Sequence, residues 1–182
     1  GGTNLFQRIA PSGQAWVGVG NGAINNGLLD QVASKQGYLN IGSPLNGAMQ
    51  MMFVLRALPA GEYDLIFRSA AANNDNAINV QVIGGNLRII KKAAGVNTVL
   101  ATTPVPTSTF RGPGAYRLTA SISGSLVFGA LYSLDGYPLT SVSYTLTSPD
   151  DTTYSTGNFV GFLGFDTAAP TKIDDLVVRS YA

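Results

Sequence analysis

The sequence predicts an all-β protein, an antiparallel β-sandwich, on three observations. Roughly a dozen short apolar or alternating runs are bounded by glycine, proline, asparagine and aspartate. No segment sustains a 3.6-residue apolar period with caps at its ends. Tight-turn signals recur between the runs, at Gly84-Gly85, Ser123-Gly124 and Asp135-Gly136, where the backbone can take positive φ. Short strands punctuated this regularly read as a sandwich or barrel. The chain of 182 residues shows no internal repeat and no linker, so one domain over residues 1–182 is expected. A domain of that length buries roughly 70% of its unfolded surface.

The elements follow in order. Trp16 has a strand-like setting between Ala15 and Val17, whereas Asn26 to Ser34 has the composition of one or two helical turns. Gly47 to Leu55, with Met49, Met51 and Met52, reads as an ordinary core strand, and a methionine-rich subunit contact is the alternative. Over Gly61 to Arg68, Tyr63, Leu65 and Phe67 alternate in the pattern of a half-buried strand. Ala70 to Asn76 is a polar loop, and Ala77 to Ile83 is the next strand. Gly84 to Pro104 is a hairpin turned at Ala93-Ala94-Gly95. Tyr116 to Ile122, Leu126 to Leu134 and Leu139 to Leu146 form a three-stranded meander. Ser148-Pro149-Asp150-Asp151 reads as a turn, and Phe159 to Phe165 and Ile173 to Val178 are the last strands.

Composition excludes several functions. A formal charge of +1 creates no field to gather nucleic acid or an anionic membrane. No apolar run reaches the ~18 residues of a membrane span. The N-terminus lacks the basic start and apolar block of a signal peptide, so either a signal has been removed or the chain reaches its destination by assembly. Only 12% of residues are charged, and Gly, Ser, Thr and Asn are plentiful. Such a neutral, hydroxyl-rich surface is common in secreted and virion proteins.

The motifs Trp16-Val17-Gly18-Val19-Gly20-Asn21-Gly22, Gly37-Tyr38-Leu39, Asn79-Val80-Gln81-Val82 and Leu87-Arg88-Ile89-Ile90-Lys91-Lys92 occur in an order that resembles concanavalin A-like (laminin-G-like) jelly-roll domains. Tyr116-Arg117-Leu118, Val160-Gly161-Phe162 and Ile173-Asp174-Asp175-Leu176-Val177-Val178 continue the resemblance over most of the chain. It implies two curved antiparallel sheets packed face to face, with the terminal strands close together. Relatives include glycan-binding modules, glycoside hydrolases, adhesion domains and accessory domains of bacteriophage capsids and tails, so fold alone does not select the function.

An enzyme is not expected. Glycoside hydrolysis needs two carboxylates ~5 to 9 Å apart, for which the family's usual solution is two glutamates alternating on one strand. Glu62 is the single glutamate. Asp150-Asp151 reads as a turn, and Asp174-Asp175 are strand neighbours whose side chains leave on opposite faces. The absence of cysteine and histidine removes Ser-His-Asp, Cys-His and the usual zinc chemistry.

Binding candidates remain. Asp174 and Asp175 are the candidate ligands of a structural calcium ion, although a role in tying backbone amides at a strand entrance is favoured. No other metal and no cofactor is expected. A glycan asks for an exposed aromatic plate with amides or hydroxyls at its rim. Trp16, the one tryptophan, and Tyr137, beside Asp135-Gly136 and Pro138, are the candidates. A lone tryptophan in a sandwich is more often core, so Tyr137 is the expected exposed aromatic. Lys91 and Lys92 face opposite ways along a strand, cannot make one anion pocket, and are expected to solvate the hairpin and discourage edge pairing. A contact of theirs to an acidic neighbouring subunit is the alternative.

The expected function is that of a non-catalytic structural or attachment protein on the surface of a larger assembly, most plausibly a phage virion decoration, fibre or tail accessory protein. The alternative is a secreted or cell-surface carbohydrate-binding or adhesion module. The expected partners are other subunits of an assembly and surface glycans, with no nucleic acid and no membrane span, and the expected location is a virion or the extracellular space.

Overall fold

The computed structural model describes residues 3–4, 16–19, 23–25, 28–31, 35–55, 61–106, 114–166 and 171–180. Backbone placement alone is described for the strand residues up to 35 and at 52–55, 114, 165–166, 171–176 and 180. The chain runs through β1 (Thr3–Asn4), β2 (Trp16–Val19), β3 (Ala23–Asn25), β4 (Leu28–Gln31), β5 (Lys35–Asn40), β6 (Gly47–Leu55), β7 (Gly61–Ser69) and β8 (Ala77–Ile83). It continues through β9 (Asn86–Ala93), β10 (Val96–Pro104), β11 (Gly114–Ser123), β12 (Leu126–Ser133), β13 (Pro138–Thr145), α1 (Ser148–Tyr154), β14 (Phe159–Asp166) and β15 (Thr171–Ser180).

These strands form two antiparallel sheets. The eight-stranded sheet has the order β1-β3-β4-β15-β6-β11-β12-β13, and the seven-stranded sheet the order β10-β9-β8-β7-β14-β5-β2. The inner faces meet in one apolar cluster. Met49, Met51, Leu118, Ile122, Val127 and Leu131 come from the first sheet, and Leu39, Tyr63, Leu65, Phe67, Val80, Val82, Ile89 and Phe162 from the second. Each large apolar side chain fully buried there contributes about 1.5–3 kcal/mol. The alternation of residue types along β7, β8 and β11 is therefore the direct cause of the layering.

The meander lies as expected: β11, β12 and β13 are consecutive neighbours in the sheet. The hairpin β9–β10 turns at Ala94-Gly95, both with positive φ, which matches the twist of the flanking strands. Gly47 to Leu55 is a central strand, β6, between β15 and β11.

Three expectations are corrected. The segment Asn26 to Ser34 holds a strand where helical turns were expected. Leu28–Gln31 pairs with both β3 and β15, and those ladders supply the hydrogen bonds a local helix would otherwise make. Asp150 and Asp151 lie in the first turn of a seven-residue helix rather than in a simple turn. Strand β7 is buried on both faces apart from half-buried Glu62, so its polar positions do not make a wet face.

Candidate functional site

Two outer faces are available, and they differ chemically. The centre of the seven-stranded sheet's outer face is closed. Tyr38, Ile66, Ala77 and Leu163 form a second buried apolar cluster there. Beside it Asp64 and Asn79 are fully buried, and Gln81 nearly so. They stand in register, Asp64 opposite Gln81 and Ile66 opposite Asn79. Asn79 Nδ2 donates to Asp64 Oδ2 at 2.8 Å. Gln81 Nε2 donates to Glu62 Oε1 at 2.8 Å and reaches Asp64 Oδ2 at 3.5 Å. Asp64 Oδ1 and Asn79 Oδ1 have no hydrogen-bond partner. Burial, reinforced by the charge of Glu62, pushes the Asp64 carboxyl up to about 7, against the opposing bonds from Asn79 and Gln81 and the charge of Lys92. Burial likewise raises the Tyr38 hydroxyl, which donates to Gln36 Oε1 at 2.6 Å.

Glu62 and Asp64 are thus a carboxylate pair on one face of one strand, which an inventory restricted to adjacent aspartates missed. The period-2 spacing of Glu62-Tyr63-Asp64 carried the signal. Two carboxyls on one strand face, one of them raised by burial, are an arrangement acid–base chemistry uses. Asp64, however, has no exposed surface.

The outer face of the eight-stranded sheet is exposed at Phe128, Ser141, Ser143 and Arg179. Cross-strand pairing sets Arg179, Ala48, Ser121, Phe128 and Ser143 in one row across β15, β6, β11, β12 and β13. The next row is Val177, Gln50, Thr119, Ala130 and Ser141. Beyond it, Asp174, Met52, Arg117, Tyr132 and Pro138 stand in register. With strands about 4.8 Å apart, Phe128 and Arg179 are about 14 Å from each other. Phe128 is 37% exposed, between a half-buried and an exposed serine. A shallow depression lies beside this row, lined by Ala48, Met49, Gln50, Thr119, Val177 and Arg179. An aromatic plate, hydroxyls, an amide and a guanidinium therefore share one surface.

The residues singled out by sequence do not converge. Trp16 lies in β2 in register with Leu39, itself a core residue. Tyr137 is 74% exposed in the β12–β13 turn, where its N–H donates to Ser133 Oγ at 3.1 Å. That turn borders the open face, at the end carrying Tyr132 and Arg117. Asp174 and Asp175 fall in β15 at a break in its register with β6, between Asp174 and Val177, so strict alternation of faces does not hold there. Among the described residues no three acidic side chains group as metal ligands.

Lys91 does not solvate the hairpin. Its Nζ lies 2.8 and 2.9 Å from the two carboxylate oxygens of Asp150, and this bond raises its pKa. Helix α1 supplies the partner, and alternation along β9 delivers Lys91 to the side on which α1 packs. Lys92 follows the opposite parity, in register with Ala77.

No family model matches the chain, and no curated protein matches it in sequence. Solved structures match it in shape. The carbohydrate binding module CBM66 from Bacillus subtilis superposes with a TM-score of 0.63 at 17% identity, over 91% of this chain and 95% of that one. The metal-free form of lectin I-B4 from Griffonia simplicifolia gives 0.60 at 10% identity, over 97% of each chain. The CBM2 module of the evolved Dit of Lactobacillus casei BL23 phage J-1 gives 0.55 at 11% identity, over 98% of this chain and 96% of that one. The fold is an antiparallel β-sandwich of the concanavalin A-like jelly-roll type.

Proposed function

We propose that this chain is a non-catalytic carbohydrate-binding domain whose glycan lies on the outer face of the eight-stranded sheet. The observation that carries the reading is Phe128, an exposed ring in one row with Ser121 and Ser143 and beside the Gln50–Thr119 depression. The apolar face of a pyranose stacks on the ring, and hydroxyl and amide groups bond its rim. The likeness in fold to a carbohydrate binding module and a lectin supports it. The closed burial of Asp64 argues against hydrolysis at the Glu62–Asp64 pair. No metal is part of this reading, and an unchanged melt in EGTA would remove calcium at Asp174 and Asp175 from consideration.

A glycan array followed by calorimetry tests it. Phe128→Ala should weaken binding at least tenfold, about 1.4 kcal/mol, with the melting temperature little changed. Trp16→Ala and Tyr137→Ala, measured alongside, report on the two aromatics chosen from sequence. Full affinity in Phe128→Ala would remove this face from the reading.

A second reading, that the module is displayed on a virion and serves attachment there, is favoured by the likeness to a module of a phage Dit. It predicts co-sedimentation with intact particles at a constant ratio to a major structural protein. Recovery only in the soluble fractions counts against it.

A further inference from the structure

The open face carries two guanidinium groups, neither of which forms an ion pair among the described residues. Arg179 is exposed and lines the depression. Arg117 is half-buried, and its Nε is enclosed without a hydrogen-bond acceptor. The ion pairs among the described residues, Arg68–Asp151 and Lys91–Asp150, both involve α1 and use neither arginine, while β15 places Asp174 in register with Met52, two strands from Arg117. In a chain with only 12% charged residues, two arginines against Asp174 leave a local excess of positive charge on a face that also presents an aromatic ring. A planar carboxylate is the group whose two oxygens match a guanidinium fork.

We propose that the ligand of this face is a uronate-bearing glycan. One ring stacks on Phe128, and carboxylates along the chain engage Arg179 and Arg117 on either side of the Gln50–Thr119 row. This rests on the carbohydrate-binding reading above and names the chemical class of its ligand. The span from Phe128 to Arg179, about 14 Å, suits a short linear oligosaccharide lying across the strands. Ser121 lies in that path, in register with both Ala48 and Phe128, and offers its hydroxyl to the sugar rim.

The test uses a panel of uronate oligosaccharides of differing sugar and linkage, each beside its carboxyl-reduced neutral counterpart, with sulfated oligosaccharides as a third arm. Calorimetry on the full chain should give at least tenfold tighter binding of a uronate form than of its reduced partner. Arg179→Gln should abolish that preference by bringing the affinity for the uronate form down to that for the reduced form, and Arg117→Gln should narrow it. Arg179→Lys, which keeps the charge but not the fork, should recover only part of it. Equal binding of acid and reduced forms, still lost in Phe128→Ala, would overturn the uronate assignment and leave the carbohydrate-binding reading standing. Preference for the sulfated arm would overturn it too. Failure of every glycan to bind would dispose of both.

Discussion

Asp64 shows how much a single buried carboxyl can impose. Its ordinary value of 3.8 rises to about 7 in the folded chain, chiefly through burial. Between those values the folded state holds a proton that the unfolded state has lost. Stability from this group is therefore complete below about pH 4 and declines as pH rises toward 7, by at most about 1.4 kcal/mol per unit. Urea unfolding at several pH values should show that decline in the native chain and a flatter profile in Asp64→Asn. Identical profiles for the two would refute the assignment. Arg68 is a second residue under constraint. Its φ is 49°, its guanidinium donates to Asp151 Oδ1 at 3.0 Å and to the Gly124 carbonyl at 2.7 Å, and Gly157 presses against its backbone. A Cβ at position 157 would overlap the Arg68 carbonyl. Gly157→Ala should cost about 1–3 kcal/mol or more, seen as a fall in Tm. An unchanged Tm would mean that β7 gives way freely. Neither residue advertises this role in the sequence. Asp64 occupies a nominally wet position of an alternating strand, and the burial that alters it comes from residues distant in the chain.

At the scale of elements, α1 acts as a clamp. Its Asp150 and Asp151 pair with Lys91 and Arg68, and the Tyr154 hydroxyl donates to the Lys92 carbonyl at 2.7 Å. Four hydrogen bonds thereby tie one short helix to β7 and β9. Tyr154→Phe should cost about 1 kcal/mol and speed hydrogen exchange at the β9–β10 hairpin. Unaltered exchange there would make the tyrosine a packing residue only. The helix was partly legible, because Ser148-Pro149 followed by two aspartates is a helix-start signal. Seven residues are too few to display a period, so the reading stopped at a turn. The strand Leu28–Gln31 fails to show for a different reason. Its local composition tolerates a helix, and the decision is made by a partner, β15, far along the chain. Where pairing is local, as in the β9–β10 hairpin and the meander, the reading and the structure coincide.

For the whole molecule, alternation foretold two layers with a core between them, and the sandwich bears that out. What alternation does not carry is which strand neighbours which. The open face is assembled from β15, β6, β11, β12 and β13, so Arg179 and Phe128 share a row although 51 positions separate them in sequence. Aromatic and amide motifs along the chain consequently point to Trp16 and Tyr137, whereas Phe128 gains its setting only on folding.

The position of β15 between β4 and β6 has a consequence for how the protein is made. A ribosome delivers β4 and β6 long before the strand that joins them, so the emerging chain carries an unfilled slot in the middle of its larger sheet. Until residues 171–180 clear the exit tunnel, the edge of β6 that β15 will occupy has nothing from β15 to pair with. Closure is therefore a late, long-range event, in the class of topologies that fold in milliseconds to seconds. A chain stopped at residue 170 should bind a dye specific for exposed apolar surface and succumb to protease, whereas release of the last strand should restore resistance in one step. Protease resistance already present in the truncated chain would show that the slot closes without its strand. Before β15 arrives, the open edge of β6 is the place where a partly made chain is most prone to clumping.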